Sequence, residues 1–312
     1  MVHQQPSVPA SHYLAAATTQ AFIAAGGEAI RHFLGDLAPY VEDPAHSPYA
    51  DLAPVTNVWD AARRYAEQPE QFTDEALVML GEEALRGAGQ AVPRIEVRGL
   101  DAATGEAAQV ALIGIPGAYR NAPQQTLQAL AGQQPIALRQ GGFMTLEANI
   151  AGVDKGLAIG YLARHFDDLL DLMGYQPGPL MDARATRTLL LADGDGTTYG
   201  KPTATTNPPL AESIARDALL AYLQAGGVYA VISGNDLELT RQRLLAIPPA
   251  LRPRVLVIAN GAANLTVLRP DGTLQESRPY RTQALAERAQ PRPALDTLYL
   301  GDDERETGND WP

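Results

Sequence analysis

Apolar and polar positions recur with two different periods along this chain, and the change of period divides it. From residue 12 to 90 the spacing is helical. Leu14 to Ala25, Trp59 to Glu67 and Thr73 to Arg86 carry the pattern, and the turn-rich Asp43-Pro44-Ala45-His46-Ser47-Pro48-Tyr49 interrupts it. Ile95 to Arg98 and Gln109 to Ile115 read as strands across a polar turn near Ala103-Thr104-Gly105. A helix is expected over Pro123 to Ala131, then strands at Pro135 to Leu138 and Phe143 to Ala148. From Lys155 to about Met173 the pattern is again helical, with Ala158, Leu162, Phe166, Leu169 and Leu170 on one face. Gln176 to Pro179 reads as a linker.

Beyond the linker the apolar runs become short and unbroken. Thr188 to Ala192, Val228 to Ile232, Val255 to Ala259 and Thr297 to Leu300 read as strands buried on both faces, as in a parallel sheet. Helices are expected between them at Leu210 to Gln224, Leu237 to Ala246 and Thr282 to Ala289. This alternation predicts an α/β fold with a doubly wound, Rossmann-like parallel sheet. The expected organisation is a mostly helical segment over 1–90, a smaller α/β domain over 91–150 and the parallel-sheet core over 151–312.

Composition narrows the chemistry. Hydrophobic residues make up 46% and charged residues 19%, which suits a globule with a sizeable core. The chain has no cysteine, so disulfides, thiolate catalysis and cysteine-bound zinc are excluded. A net charge of -12 repels nucleic acid and anionic membrane, and neither is expected as a partner. The first ten residues lack a basic region followed by an apolar one, and no run reaches transmembrane length, so a cytoplasmic location is expected. Among 24 basic residues only Lys155 and Lys201 are lysines. In a chain that otherwise uses arginine, each lysine has a raised chance of being needed for its compact ammonium. The oligomeric state is not encoded in any pattern.

In open α/β sheets ligands bind beyond the C-terminal ends of the strands, so the residues that follow each apolar run carry the interest. After the first run comes Asp193-Gly194-Asp195-Gly196-Thr197-Thr198. Two carboxylates so close repel each other, and a divalent cation with oxygen ligands, Mg²⁺, would relieve this. A carboxylate there can also attack phosphorus. Ser233-Gly234-Asn235-Asp236 ends the second run and opens a helix, which makes either a phosphate seat or a plain helix cap. The last run ends in Gly301-Asp302-Asp303, with Asn309-Asp310 beyond: further metal ligands, or an acidic tail.

In this order, Asp193-x-Asp195-Gly196-Thr197, the strand ending in Ser233 and Gly301-Asp302-Asp303 resemble motifs I, II and IV of the haloacid dehalogenase superfamily. Asn260-Gly261-Ala262, followed by Leu265 to Leu268 and Asp271-Gly272-Thr273, resembles its Cof-like phosphatase branch. The resemblance covers residues 186 to 312. It implies that Asp193 is the nucleophile and Asp195 the general acid and base. The Asp193 and Asp302 carboxylates and the Asp195 carbonyl would hold Mg²⁺, with Asp303 and Asp310 as outer metal candidates. Ser233, Gly234, Thr197 and Asn260 would bind the substrate, Thr197 also steadying the motif I loop.

The family's cationic third motif normally lies between the second and the fourth, where this chain has no lysine. Leu146-Glu147-Ala148-Asn149 and Gly152-Val153-Asp154-Lys155-Gly156 resemble that motif but precede the nucleophile strand. Lys155 is therefore the expected cation, with cap and third motif moved ahead of motif I. Lys201, or no lysine, is the alternative. The family continues past motif IV with a helix and a strand, whereas the sequence here ends at Pro312. The stretch Ala24-Ala25-Gly26-Gly27 is a candidate for the missing strand, or else part of a separate helical domain. The implied function is Mg²⁺-dependent hydrolysis of a small phosphorylated metabolite; the alternative is a catalytically weak metal- or phosphate-binding regulatory module.

Overall fold

Short apolar runs with few polar interruptions build the larger sheet. A computed structural model describes residues 12–54, 56–74, 76–77, 80, 94–113, 125–132, 135–141, 145–176, 188–200, 208–288, 290 and 297–300. The protein is mixed α/β and divides into two compact units. One comprises 1–13, 150–202 and 207–312; the other comprises 14–149 and 203–206. The expected helical segment and the expected 91–150 domain thus fall together in the second unit, apart from the stretch 1–13 and Ile150.

In that second unit, helix α1 (Ala16–Leu37) buries Phe22, Ala29, Ile30, Phe33, Leu34 and Leu37 at helical spacing. Its Ala24-Ala25-Gly26-Gly27 stretch is helical, so it supplies no strand. Helix α2 (Thr56–Glu67) packs Val58, Trp59 and Ala62, and the Trp59 indole donates to the Leu52 carbonyl at 2.9 Å. Strands β1 (Arg94–Arg98), β2 (Gln109–Ile113), β3 (Ile136–Gly141) and β4 (Thr145–Ile150) form a sheet of order β1-β2-β4-β3. Period-two alternation gives this sheet two unlike faces. Ile95 and Leu112 lie opposite each other beneath α1, where a Cβ on Gly26 would come within 2.2 Å of the Ile95 side chain. On the other face Arg98 donates to Gln109 at 2.7 Å and Gln109 donates to Asn149 at 3.0 Å, which satisfies polar groups that would otherwise be costly to bury.

In the first unit the sheet order is β10-β5-β6-β7-β8-β9. Strands β5 (Leu189–Asp193), β6 (Val228–Ile232), β7 (Val255–Ala259) and β10 (Thr297–Leu300) run parallel. Strands β8 (Asn264–Leu268) and β9 (Leu274–Glu276) return antiparallel, so the sheet is mixed. Helices α3 (Lys155–Arg164), α4 (Phe166–Met173), α5 (Arg216–Gln224), α6 (Leu237–Leu244) and α7 (Arg278–Gln283) accompany it. Leu219, Leu223, Leu244 and Ile247 close over Tyr229, Val231, Val255 and Val257 in one apolar core.

Three helices depart from expectation. The single helix over 155–173 is broken at His165, whose backbone leaves helical geometry (φ -115°, ψ 23°). The His165 ring stacks on Tyr161 at 4.3 Å and pairs with Glu287 at 2.5 Å, while Asp167 and Asp168 begin α4, where acidic residues suit a helix N-terminus. The helix expected from Leu210 begins as a single 3₁₀ turn, Leu210–Glu212, and becomes α-helical only at Arg216. The helix expected over 282–289 starts earlier, with Pro279 in its first turn, where a missing N–H costs nothing.

His12 and Tyr13 pack on the β8–α7 corner of this unit. Asn264 donates to the Tyr13 hydroxyl at 2.7 Å, Arg281 lies 3.8 Å over the Tyr13 ring, and His12 meets Tyr280 edge-on at 5.2 Å. Burial pushes the His12 imidazole down to about 4; a backbone contact with Ala263 raises it less, and Arg281 lowers it further.

Two outcomes are expected. His12 is held neutral in the fold, so its contribution to stability is complete above its unfolded value of 6.5 and is lost as the pH falls toward 4. By pH 5 this loss should reach about 2 kcal/mol, and His12→Phe should remove it when urea midpoints at pH 7.5 and 5 are compared with wild type. Gly26→Ala should destabilise by about 1–3 kcal/mol because its methyl overpacks against Ile95.

Candidate functional site

Parallel pairing sets the ends of three strands side by side. Asp193 lies opposite Ile232, Ile232 opposite Ile258, and Leu300 opposite Ala192. The chain therefore leaves β5 through Asp193, β6 into Ser233 and β7 into Asn260 along one edge. That edge is the C-terminal one, where α/β sheets present their ligand sites.

The turn after β5 is tight. Thr198 N donates to the Asp193 and Gly194 carbonyls at 3.2 and 3.0 Å, and Tyr199 N donates to the Gly194 carbonyl at 2.9 Å. The Thr198 hydroxyl donates to the Asp193 carbonyl at 2.6 Å and contacts the Tyr229 hydroxyl. The Thr198 hydroxyl thereby steadies this loop. Burial, and secondarily the Asp193 carboxylate, push the Tyr229 phenol above its ordinary range, so it remains protonated. Gly194 permits the approach of β6: a Cβ there would lie 3.2 Å from Ser233 Oγ.

Lys155 opens α3. Asp154 caps that helix by accepting from Leu157 N at 2.8 Å, and Arg288 holds the other Asp154 oxygen at 3.0 Å. A cation in the first turn opposes the helix dipole, and a nearby carboxylate offsets that cost. The Lys155 ammonium donates to Asp193 Oδ1 at 2.8 Å, with side chains 15% and 13% exposed. The two residues stand 38 positions apart in the chain.

Asp195 has different partners. Asn235 donates to its Oδ2 at 2.8 Å and Arg243 to its Oδ1 at 2.5 Å. Arg243, with a side chain 3% exposed, sits on the buried side of α6 beside Thr240 and Leu244. Ser233 Oγ accepts from Asn235 N at 3.1 Å, and Ser233 N donates to the Ile258 carbonyl at 2.8 Å. Gly234 lies between them, partly exposed. Asp236 caps α6 by accepting from Glu238 N and Leu239 N, so this segment is a helix cap whatever else it binds. Asn260 is fully buried and left-handed (φ 53°); its N donates to the Asn235 carbonyl at 2.9 Å and its side chain to Asn264 at 2.8 Å. Asn260 Oδ1 is buried with no hydrogen-bond partner among the described residues.

The structure thus gathers Lys155, Asp193, Asp195, Ser233, Gly234 and, through Asn235, Asn260 at one edge. Asp302, Asp303, Asp310 and Lys201 lie outside the described residues. Leu300, two residues before Asp302 in sequence, ends its strand beside Ala192. Among the described residues no group of three or more His, Asp or Glu side chains is arranged to hold a metal ion, and no helix is long and apolar enough to cross a membrane. Sequence reasoning missed Thr198, Tyr229, Asn235 and Arg243. For Arg243 a signal existed, a charge placed on the buried stripe of a helix. Compared with protein-family models, curated proteins and solved structures, the chain matches none of them.

Removing the Thr198 hydroxyl should take a partner from the Tyr229 hydroxyl and the shorter of two donors from the Asp193 carbonyl. Thr198→Val is expected to cost about 1–3 kcal/mol in denaturant unfolding, and Thr197→Val less than about 0.5 kcal/mol.

Proposed function

We propose that the protein is a Mg²⁺-dependent phosphatase with a doubly wound, haloacid-dehalogenase-like core, acting on a small phosphomonoester through an aspartyl-phosphate. The observation that carries this reading is the 2.8 Å pairing of Lys155 with Asp193. A lysine singled out by its scarcity and by a Gly-Val-Asp-Lys-Gly turn meets a carboxylate singled out by its place after a buried strand.

In this reading the Asp193 carboxylate attacks phosphorus. Asp195 enters the cycle in its acid form, its proton on a carboxyl site that Asn235 and Arg243 leave open, and gives that proton to the ester oxygen as it leaves. Water then attacks the aspartyl-phosphate, Asp195 takes the proton of that water, and inorganic phosphate departs with Asp193 regenerated. Lys155 holds the attacking carboxylate in place and offsets phosphate charge. Ser233 Oγ and the Gly234 backbone offer donors to the phosphoryl oxygens, Thr197 lines the motif I loop, and Asn260 fixes the loop that supports Asn235. Mg²⁺ would neutralise phosphoryl charge and aid in-line alignment. Its ligands would be the Asp193 carboxylate, the Asp195 carbonyl and Asp302, with Asp303 and Asp310 in outer positions. The donor set fits a hard cation, because carboxylates and a main-chain carbonyl supply only oxygen.

Purified protein is expected to release phosphate from small phosphomonoesters with Mg²⁺ and not after chelation. Asp193→Asn should abolish turnover, and Lys155→Met should lower kcat by about 10²-fold or more. Phosphate release by Asp193→Asn at the wild-type rate would remove the nucleophile assignment. Metal or phosphate binding without turnover on a broad ester panel would instead favour a binding module.

A further inference from the structure

The geometry points to Arg243 as the positioning residue for Asp195, fixing that carboxylate for proton transfer to the leaving group. This rests on the phosphatase reading of the same site. Arg243 comes from α6, 48 residues beyond Asp195 in the chain. Its guanidinium uses all of its edges. Nη1 donates to Asp195 Oδ1 at 2.5 Å, Nη2 to the Gly200 carbonyl at 3.4 Å, and Nε to the Pro208 carbonyl at 3.1 Å. Its face lies 3.9 Å over the Tyr199 ring. The residue thus clasps both shoulders of the segment that leaves the motif I turn at Gly200 and returns at Pro208, and ties them to Asp195.

A planar, always-charged fork can make these contacts together; an ammonium on a flexible stem cannot. Asn235 holds the second oxygen at 2.8 Å, so the Asp195 carboxylate is fixed in both position and plane. Asp193 has its own cation in Lys155, so the two carboxylates are held independently. That division suits their roles, because a nucleophile and a proton donor must approach opposite sides of one phosphorus.

The test separates a positioning role from a structural one by leaving group. An alkyl phosphate needs its departing oxygen protonated; a nitrophenyl phosphate does not. For Arg243→Met, kcat/KM with Mg²⁺ should fall about 10²-fold on the alkyl ester and less than about 3-fold on the nitrophenyl ester. Arg243→Lys should fall between, and Asn235→Leu should show the same selectivity. Circular dichroism establishes which variants fold; should Arg243→Met not fold, the other two carry the comparison. Equal losses on both esters in folded variants, or no loss on either, would overturn the positioning role while leaving the phosphatase reading intact. Wild-type protein that hydrolyses neither ester would overturn both.

Discussion

Two carboxylates separated by a single glycine leave the end of a buried strand, and the charge they concentrate must be balanced from elsewhere in the fold. Asp193 is met by Lys155 from the start of α3, and Asp195 by Arg243 from the end of α6. All of these side chains are at least two-thirds buried. A buried charge without a partner is among the most destabilising defects a protein can carry, so each pair constrains where its helix can lie. Both helices are fixed independently by aspartate caps, Asp154 on α3 and Asp236 on α6. The caps set where each helix begins, and hence where each cation sits.

The apolar part of the first unit serves the same arrangement. Parallel pairing of β5, β6 and β7 is continuous and in register, so Asp193, Ser233 and Asn260 emerge along one edge without any special loop. Gly194 lets the turn after β5 come against Ser233, and the Thr198 hydroxyl folds that turn back on the carbonyl of Asp193. Tyr229, kept protonated by burial, backs this contact from the neighbouring strand. Sheet core and polar edge are one structure: the side chains that orient the site also pack the interior.

Sequence order and spatial order separate here. In the family that the motifs resemble, the cationic motif follows the nucleophile strand; in this chain Lys155 precedes it and still reaches Asp193. Electrostatic pairing depends on where a helix terminus is delivered and not on its order in the chain, so a cation can meet a carboxylate at the end of a strand that follows it. The absence of any matching family, protein or structure leaves this pairing as the strongest single observation behind the functional reading.

Much was legible in the residues alone. Unbroken apolar runs located β5, β6 and β7 almost to the residue, because burial on both faces leaves no polar position to confuse the pattern. The carboxylates and Ser233 followed from strand ends; scarcity singled out Lys155 and Lys201 alike, and the choice of Lys155 came from the resemblance of its Gly-Val-Asp-Lys-Gly turn to a family motif. Helix boundaries were less legible. The break at His165 comes with a ring stacked on Tyr161 and paired with Glu287, and the early start of α7 with a proline in its first turn. Which cation meets which carboxylate was decided by tertiary structure, because those partners lie 38 and 48 residues apart and no local period relates them. The part played by Thr198 was decided the same way. Adjacent threonines are equivalent in a sequence, and only the curl of the turn aims one hydroxyl at the Asp193 carbonyl.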